Sequence, residues 1–383
     1  MNTKIVKDNS LVISKVEEIL LTAYQSNHAF NEAFNTDIPL QISSLIKDRE
    51  PYNVDISEII FWTDRNAYFD EVENWNNGKI EEENKETVDF LKITDKITIF
   101  SELVLSIKRK KIAPFIGAGL CAPLNFPSWG NALNEIVKRL EDMDLVDVVT
   151  LISEFKFLEA AEILLQKDDT QFINYISEKF SIRRDWGKDE IVVSALKLLP
   201  EIASGCVITT NYDKVLEKVF EFSNKPFEGF MHGIQQRNTF VTDLIRGDRC
   251  ILKLHGNVGE KETYILSKSQ YDAAYGEIVD FTKPLPKTLR QIFISHSMLF
   301  LGCSLEQDRT LDLFKQIKDE GQFEIPDHFA ILSKPATAEK KRVKENRLSK
   351  MNIKAIWYPA GKHDFVEKIL KLAIDAANNR IKI

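Results

Sequence analysis

An α/β fold with a mainly parallel sheet is what this 383-residue sequence predicts. Three observations carry the prediction. Short, wholly apolar runs recur in the second half of the chain, helix-like stretches separate several of them, and the runs stop at glycine, asparagine, histidine or serine. Strands covered on both faces read as continuous apolar runs. Parallel neighbours need long crossovers, usually helical. The expected architecture is therefore Rossmann-like. It carries a mostly helical N-terminal extension over 1–98, and a helical module inserted at about 130–200 of a domain spanning 99–383. Domains run to roughly 100–200 residues, so two or three units fit this length.

The elements follow in order. "SLVISKVEEILLTAYQ" spaces its apolar residues at helical intervals, and "IPLQISSLI" does so more weakly. "SEIIFWTDRNAYFDEVENW" is rich in aromatics, and "NNGKIEEENKE" reads as an exposed acidic loop. No catalytic pattern lies in 1–98, which is expected to serve either as an assembly or partner surface or as a helical cap on the next domain. "ITIFSELVLSIKRKK" reads as a helix whose basic end suits the helix dipole. "IAPFI" is the first core strand. "GNALNEIVKRLEDM", "DVVTLISEFKFLEAAEILLQK", "TQFINYISEKF" and "KDEIVVSALKLLP" make the helical module. Strand-like runs then return as "GCVITTN", "CILKLHG", "TYILS", "IFISHSMLFLGCS", "HFAILS" and "IKAIWYPA".

Composition narrows the function. The net charge of −7 offers nucleic acid no bulk attraction. Residues 1–100 hold 19 acids against 10 bases, and the rest 39 against 41, so the two parts present different surfaces. No run approaches the ~18 apolar residues of a membrane helix. The start lacks a signal-peptide pattern, so the expected location is cytoplasmic. Cys121, Cys206, Cys250 and Cys303 stand far apart with no C-x-x-C. Reduced, mostly buried thiols are expected, and no metal site.

In open parallel sheets, ligands sit beyond the carboxyl ends of the strands. Four such ends hold the candidate residues. Gly117, Ala118 and Gly119 follow "IAPFI"; nearly bare backbone admits either a tight turn or a phosphate. Thr210, Asn211, Tyr212 and Asp213 follow "CVIT". Asp213 suits a helix cap, and the neutral amide of Asn211 suits a ribose hydroxyl or a water. His255 follows "CILKL", in step with Asn211, and can exchange a proton near neutral pH. Gly302 and Ser304 follow "MLFL" and suit phosphate or ribose. Asp308 either caps the next helix or binds hydroxyls.

These four ends resemble, in order, the nucleotide site of the sirtuin family. Gly117-Ala118-Gly119 is similar to its phosphate loop, Thr210-Asn211-Tyr212-Asp213 to its Thr-Gln-Asn-Ile-Asp stretch, Leu254-His255-Gly256 to its Leu-His-Gly, and Gly302-Cys303-Ser304 to its Gly-Thr-Ser. The chain more closely resembles the bacterial sirtuin-like branch of antiphage defence, through Pro127, Trp129 and Leu133 in "GAGLCAPLNFPSWGNAL", through "TTNYD", through "YILSKSQYDAAY" with Tyr271 and Tyr275, and through "GCSLEQDRTL". The acidic extension resembles the sirtuin subunit that pairs with a HerA-type ATPase. Departures from the deacylating sirtuins are plain: no zinc-binding cysteine pairs, "NFPSW" after the loop, and Cys121 where they have serine.

The resemblance implies hydrolysis of NAD to nicotinamide and ADP-ribose, with NAD as substrate and no metal. It implies that Asn211 positions water or a ribose hydroxyl, that His255 accepts a proton, and that Asp213 orients the nicotinamide side. Gly117, Ala118, Gly119 and Ser304 would cradle the pyrophosphate, with Thr210, Gly302 and Asp308 beside them. A homo-oligomer and a HerA-type partner are also expected. The competing readings are an NAD-dependent protein deacylase, and a non-catalytic module that binds NAD or ADP-ribose within a nucleic-acid-processing complex.

Overall fold

The computed structural model describes residues 3–35, 40–43, 51–140, 145–234, 239–306 and 309–383. Contacts divide the chain into two units, Met1–Lys85 and Glu86–Ile383. The division falls earlier than the change in sequence texture at 98, because the end of the helix Arg65–Ile93 packs with the second unit. There Phe90 meets Phe365 at 4.8 Å between ring centroids, and Lys368 binds Glu86 at 2.7 Å.

The first unit holds the helices Thr3–Gln25, His28–Phe34 and Ile56–Thr63, and the greater part of Arg65–Ile93. Its buried centre is aromatic: Phe30, Phe61 and Tyr68, with Tyr68 Oη donating to Asn31 Oδ1 at 2.7 Å. Two expectations are corrected. "NNGKIEEENKE" is not a loop but the middle of the long helix. Glutamate and lysine are good helix formers, and Gly78 faces open space, so its cost is only about 1 kcal/mol. Within "IPLQISSLI", Leu40–Ile42 is not helical; as β1 it pairs antiparallel with β2, Tyr52–Val54. The ends of that stretch lie outside the described residues.

The second unit is built on seven parallel strands: β3 Ile112–Ile116, β4 Cys206–Thr209, β5 Gly229–His232, β6 Cys250–Lys253, β7 Ser297–Leu301, β8 His328–Ser333 and β9 Ile353–Tyr358. They lie in the order β5-β6-β4-β3-β7-β8-β9. β3, β4, β6 and β7 are buried throughout, as their mainly apolar sequences require. Pro114 is tolerated in β3 because the pairing with β4 begins only at Phe115. The helical module lies between β3 and β4, from the helix Trp129–Arg139 to Leu199–Ile202.

Three details differ from expectation. "TYILS" forms no strand; its backbone follows a short 3-10 turn, Lys261–Thr263. The first half of "IFISHSMLFLGCS" ends the helix Pro284–Ser295. The edge strand β5 carries no apolar run, and its Phe230 is exposed, so nothing in its sequence marks it as a strand. Among the described residues no helix is long and apolar enough to cross a membrane. Among the described residues no cysteine forms a disulfide; Cys121, Cys206 and Cys250 are buried, and Cys303 is partly so.

The topology fixes where a ligand can sit. From β3 the chain passes to β4, β5 and β6 on one side, with β6 between β4 and the edge strand β5, and later to β7, β8 and β9 on the other. The strand order therefore reverses around β3, and open parallel sheets bind ligands beyond the carboxyl ends at such a reversal. Register aligns those ends across the sheet: Lys253 with Thr209, Thr209 with Ile116, and Ile116 with Leu301.

Candidate active site

The β3 and β7 ends meet backbone to backbone. Gly117 N–H donates to Leu301 O at 2.9 Å, and Gly119 N–H donates to Gly302 O at 3.0 Å. A Cβ on Gly117 would lie 2.6 Å from Gly302 O, and one on Gly302 would lie 2.2 Å from Leu120 N. Gly302 also holds a left-handed φ of 66°. The first demand on these glycines is thus the close approach of two turns. It also means that the Gly119 amide is already used. Ala118 and Ser304 are exposed on this side, and a 3-10 helix, Ala118–Leu124, follows the first turn. Asp308 lies outside the described residues.

The β4 and β6 ends are held by side chains. Thr209 Oγ1 donates to Ile116 O at 2.9 Å and accepts from Asn211 N at 3.0 Å, which turns the chain out of β4. Thr210 N–H donates to Ile116 O at 3.2 Å. Asn211 is buried; its Nδ2 donates to Cys121 Sγ at 3.3 Å, and its Oδ1 has no partner among the described residues. A buried acceptor without a donor costs about 1–3 kcal/mol. Such an atom marks a place where a ligand or water belongs.

His255 stands two residues past Lys253, as Asn211 stands two past its register partner Thr209. The loops that carry them are joined by Leu254 N–H to Thr209 O at 2.8 Å and Val258 N–H to Tyr212 O at 2.9 Å. The half-buried imidazole lies 6.0 Å from the Tyr212 ring, and its Nε2 meets Tyr271 Oη at 2.5 Å. The helical module roofs these loops. Tyr212 packs against Trp129 at 5.8 Å and Phe180 at 5.6 Å, and its core continues into Val258 and Tyr264.

Electrostatics separate the roles. Burial, reinforced by the charge of Asp213, pushes the Cys121 thiol well above its usual range, so it stays a neutral thiol that steers the amide. Asp213 is also buried, and its carboxylate accepts from Val215 N–H at 3.0 Å at the start of the helix Val215–Phe222. Burial raises its pKa to about 6 against the opposing pull of Lys253. Lys253 itself is wholly buried and bonded to both loops. The structure thus brings Asn211, Asp213 and His255 into adjoining loops, and Gly117, Gly119 and Gly302 into one junction.

Residues 205–356 match the SIR2-like domain. The NAD(+) hydrolase ThsA of Bacillus cereus (strain MSX-D12) is 22% identical over 229 residues, 60% of this chain and 44% of that protein. The protein of the same name from Acinetobacter baumannii (strain 532279) is 22% identical over 249 residues, 63% of this chain and 46% of its own. The chain therefore spans less than half the length of these relatives. The crystal structure of a SIR2 homolog–NAD complex aligns with a TM-score of 0.37 at 12% identity, covering 73% of this chain and 94% of that one.

The SIR2-like segment opens one residue before β4 and closes within β9. It contains Asn211, Asp213, His255, Gly302 and Ser304, whereas Gly117, Ala118 and Gly119 lie before it. Two participants inside or beside it escaped sequence reasoning. Cys121 read as an inert thiol, although its place four residues after Gly117 was a hint. Lys253 was hidden in "CILKLHG", where one cation in an apolar strand was the available signal. A depression of about 420 Å³ along the helix Arg309–Glu320, lined by Asp312, Lys315 and Glu320, holds none of the strand-end groups.

Proposed function

We propose that this chain hydrolyses the N-glycosidic bond of NAD, giving nicotinamide and ADP-ribose. The observation that carries the reading is the buried Oδ1 of Asn211, an oriented acceptor without a donor among the described residues, on the loop adjoining that of His255. The 22% identity to proteins named NAD(+) hydrolase ThsA supports the choice of substrate.

The chemistry asks little of the protein. The ring nitrogen of NAD is cationic, so the C1′–N bond breaks with its electron pair passing to that nitrogen, and neutral nicotinamide leaves. The sugar passes through an oxocarbenium-like state. Asn211 Oδ1 accepts a hydrogen from water and aims its oxygen at C1′. As the C1′–O bond forms, His255 receives the water's proton and returns it to solvent. The products are nicotinamide, ADP-ribose and one proton. Asp213, poised near pH 6, orients the nicotinamide side. Ala118, Ser304 and the glycine junction take the pyrophosphate, and Thr210 faces the ribose.

The cellular role in this reading is antiphage defence through NAD depletion, in a homo-oligomer that works with a HerA-type ATPase and is assembled through residues 1–98. The relatives' name supports the NAD chemistry, and the sequence resemblance supports the setting. The decisive experiment incubates the chain with NAD, with and without a candidate ATPase, and identifies products by chromatography. Nicotinamide and ADP-ribose without any acyl-peptide are expected. Turnover that requires an acyl-lysine peptide would replace hydrolysis with deacylation. Binding of NAD without turnover in any assembly would leave a regulatory module.

A further inference from the structure

We propose that Lys253 is a positioning residue: its ammonium sets the placement of the Asn211 loop relative to the His255 loop from beneath both. The inference rests on the reading of these loops as the site of NAD cleavage. Lys253 closes β6, a strand whose other residues, Cys250, Ile251 and Leu252, are apolar, and it is 0% exposed. An ammonium taken out of water needs partners for its three protons. Lys253 Nζ has four acceptors: Tyr212 O at 3.2 Å, Asp213 O, Glu217 Oε1 at 3.0 Å and Asn257 Oδ1 at 2.9 Å.

The placement of those acceptors is what separates positioning from ordinary burial of a charge. Two are the peptide carbonyls immediately after Asn211. A third belongs to the residue two after His255. The bracing runs on from Asn257 Nδ2 to Glu260 Oε1 at 2.6 Å, and from Glu260 Oε2 to His232 Nδ1 at 2.8 Å on the edge strand β5. One side chain thus gathers the first turns beyond β4 and β6, which hold the amide and the imidazole. A buried ion pair can be replaced whole by apolar side chains at little cost to the fold, whereas removing one member leaves its partner buried and unpaired. A positioning charge could not be replaced without loosening both loops.

The test uses the full chain. Amide hydrogen exchange is measured by mass spectrometry on Lys253→Met and on the parent, without NAD. Exchange is expected to rise at least tenfold in peptides covering 210–214 and 255–260, and to stay unchanged in β3 and β7. With NAD, kcat is expected to fall at least thirtyfold while KM moves less than about threefold, because the glycine junction is untouched. A folded variant with parental exchange in both loops overturns the proposal, and so does kcat within threefold of the parent. If Lys253→Met does not fold, Asn257→Ala decides. It leaves three of the four acceptors in place and should loosen only 255–260, with kcat reduced. Unchanged exchange there also overturns the proposal. A parent without NAD turnover counts against the NAD reading alone, and the exchange comparison still decides the role of Lys253.

Discussion

The two halves of the sheet edge are held by different forces. On the β3–β7 side, two turns touch through bare backbone, and glycine is required because a Cβ would collide. On the β4–β6 side, side chains do the holding: Thr209 turns the chain, Cys121 orients Asn211, and Lys253 ties the loops. The difference teaches a division of labour. Backbone contact gives a rigid shelf with little chemistry of its own, whereas a side-chain network can aim an amide and an imidazole.

That division makes opposite predictions for the two halves. His255→Ala should strike chemistry and spare the fold. NAD turnover is expected to fall by roughly 10²–10⁴, the range for one general base, with NAD still bound and the thermal midpoint nearly unchanged. A variant that unfolds would instead make the imidazole part of the scaffold. Gly302→Ala should strike the fold. Its Cβ would sit 2.2 Å from Leu120 N on a residue with φ of 66°, so urea denaturation should show a loss of about 3 kcal/mol or more. Parental stability there would mean that the two turns can part without cost.

Asp213 lies on the side-chain half and yields a pH signature. Its folded pKa of about 6 stands above the usual aspartate value of 3.8. Between those values the folded protein keeps a proton that the unfolded chain has released, so stability falls as pH rises from about 4 to 6. The loss is at most about 3 kcal/mol, from a shift near two units. Asp213→Asn accepts from Val215 N–H as before and carries no proton to lose. Its urea midpoint should therefore stay flatter across that window than the parent's. Parallel curves would show that burial does not hold Asp213 protonated.

The same contrast explains what the sequence made legible. β3, β4, β6 and β7 were visible because burial on both faces keeps their interiors apolar, with polar residues such as Lys253, Thr209 and Ser297 only at their ends. Their ends were visible because Gly117, Asn211, His255 and Gly302 break those runs abruptly. β5 was not, because nothing in the sequence of this edge strand, with its one exposed aromatic, marks it as a strand. The helix through "NNGKIEEENKE" was hidden by Gly78, whose penalty is smaller than the propensity of the glutamates around it. The use of Gly119 N–H by Gly302, and of Lys253 by two loops, depends on contacts between distant segments, which local pattern does not encode.

The smallest expected effect sharpens the comparison most, because it concerns one contact joining the two halves. Cys121 belongs to the 3-10 helix after the glycine turn, yet its sulfur accepts from Asn211 on the other side. Cys121→Ala removes the acceptor and leaves the amide N–H buried and unpaired, at a cost of about 1–2 kcal/mol. The amide then has no reason to present Oδ1 outward, and turnover should fall about tenfold with NAD affinity unchanged. Cys121→Ser keeps an acceptor on a shorter bond and should recover most of that loss. If alanine and serine behave alike, the sulfur only fills space. In that case Asn211 is oriented by its own loop, and the glycine half contributes no aim to the chemistry.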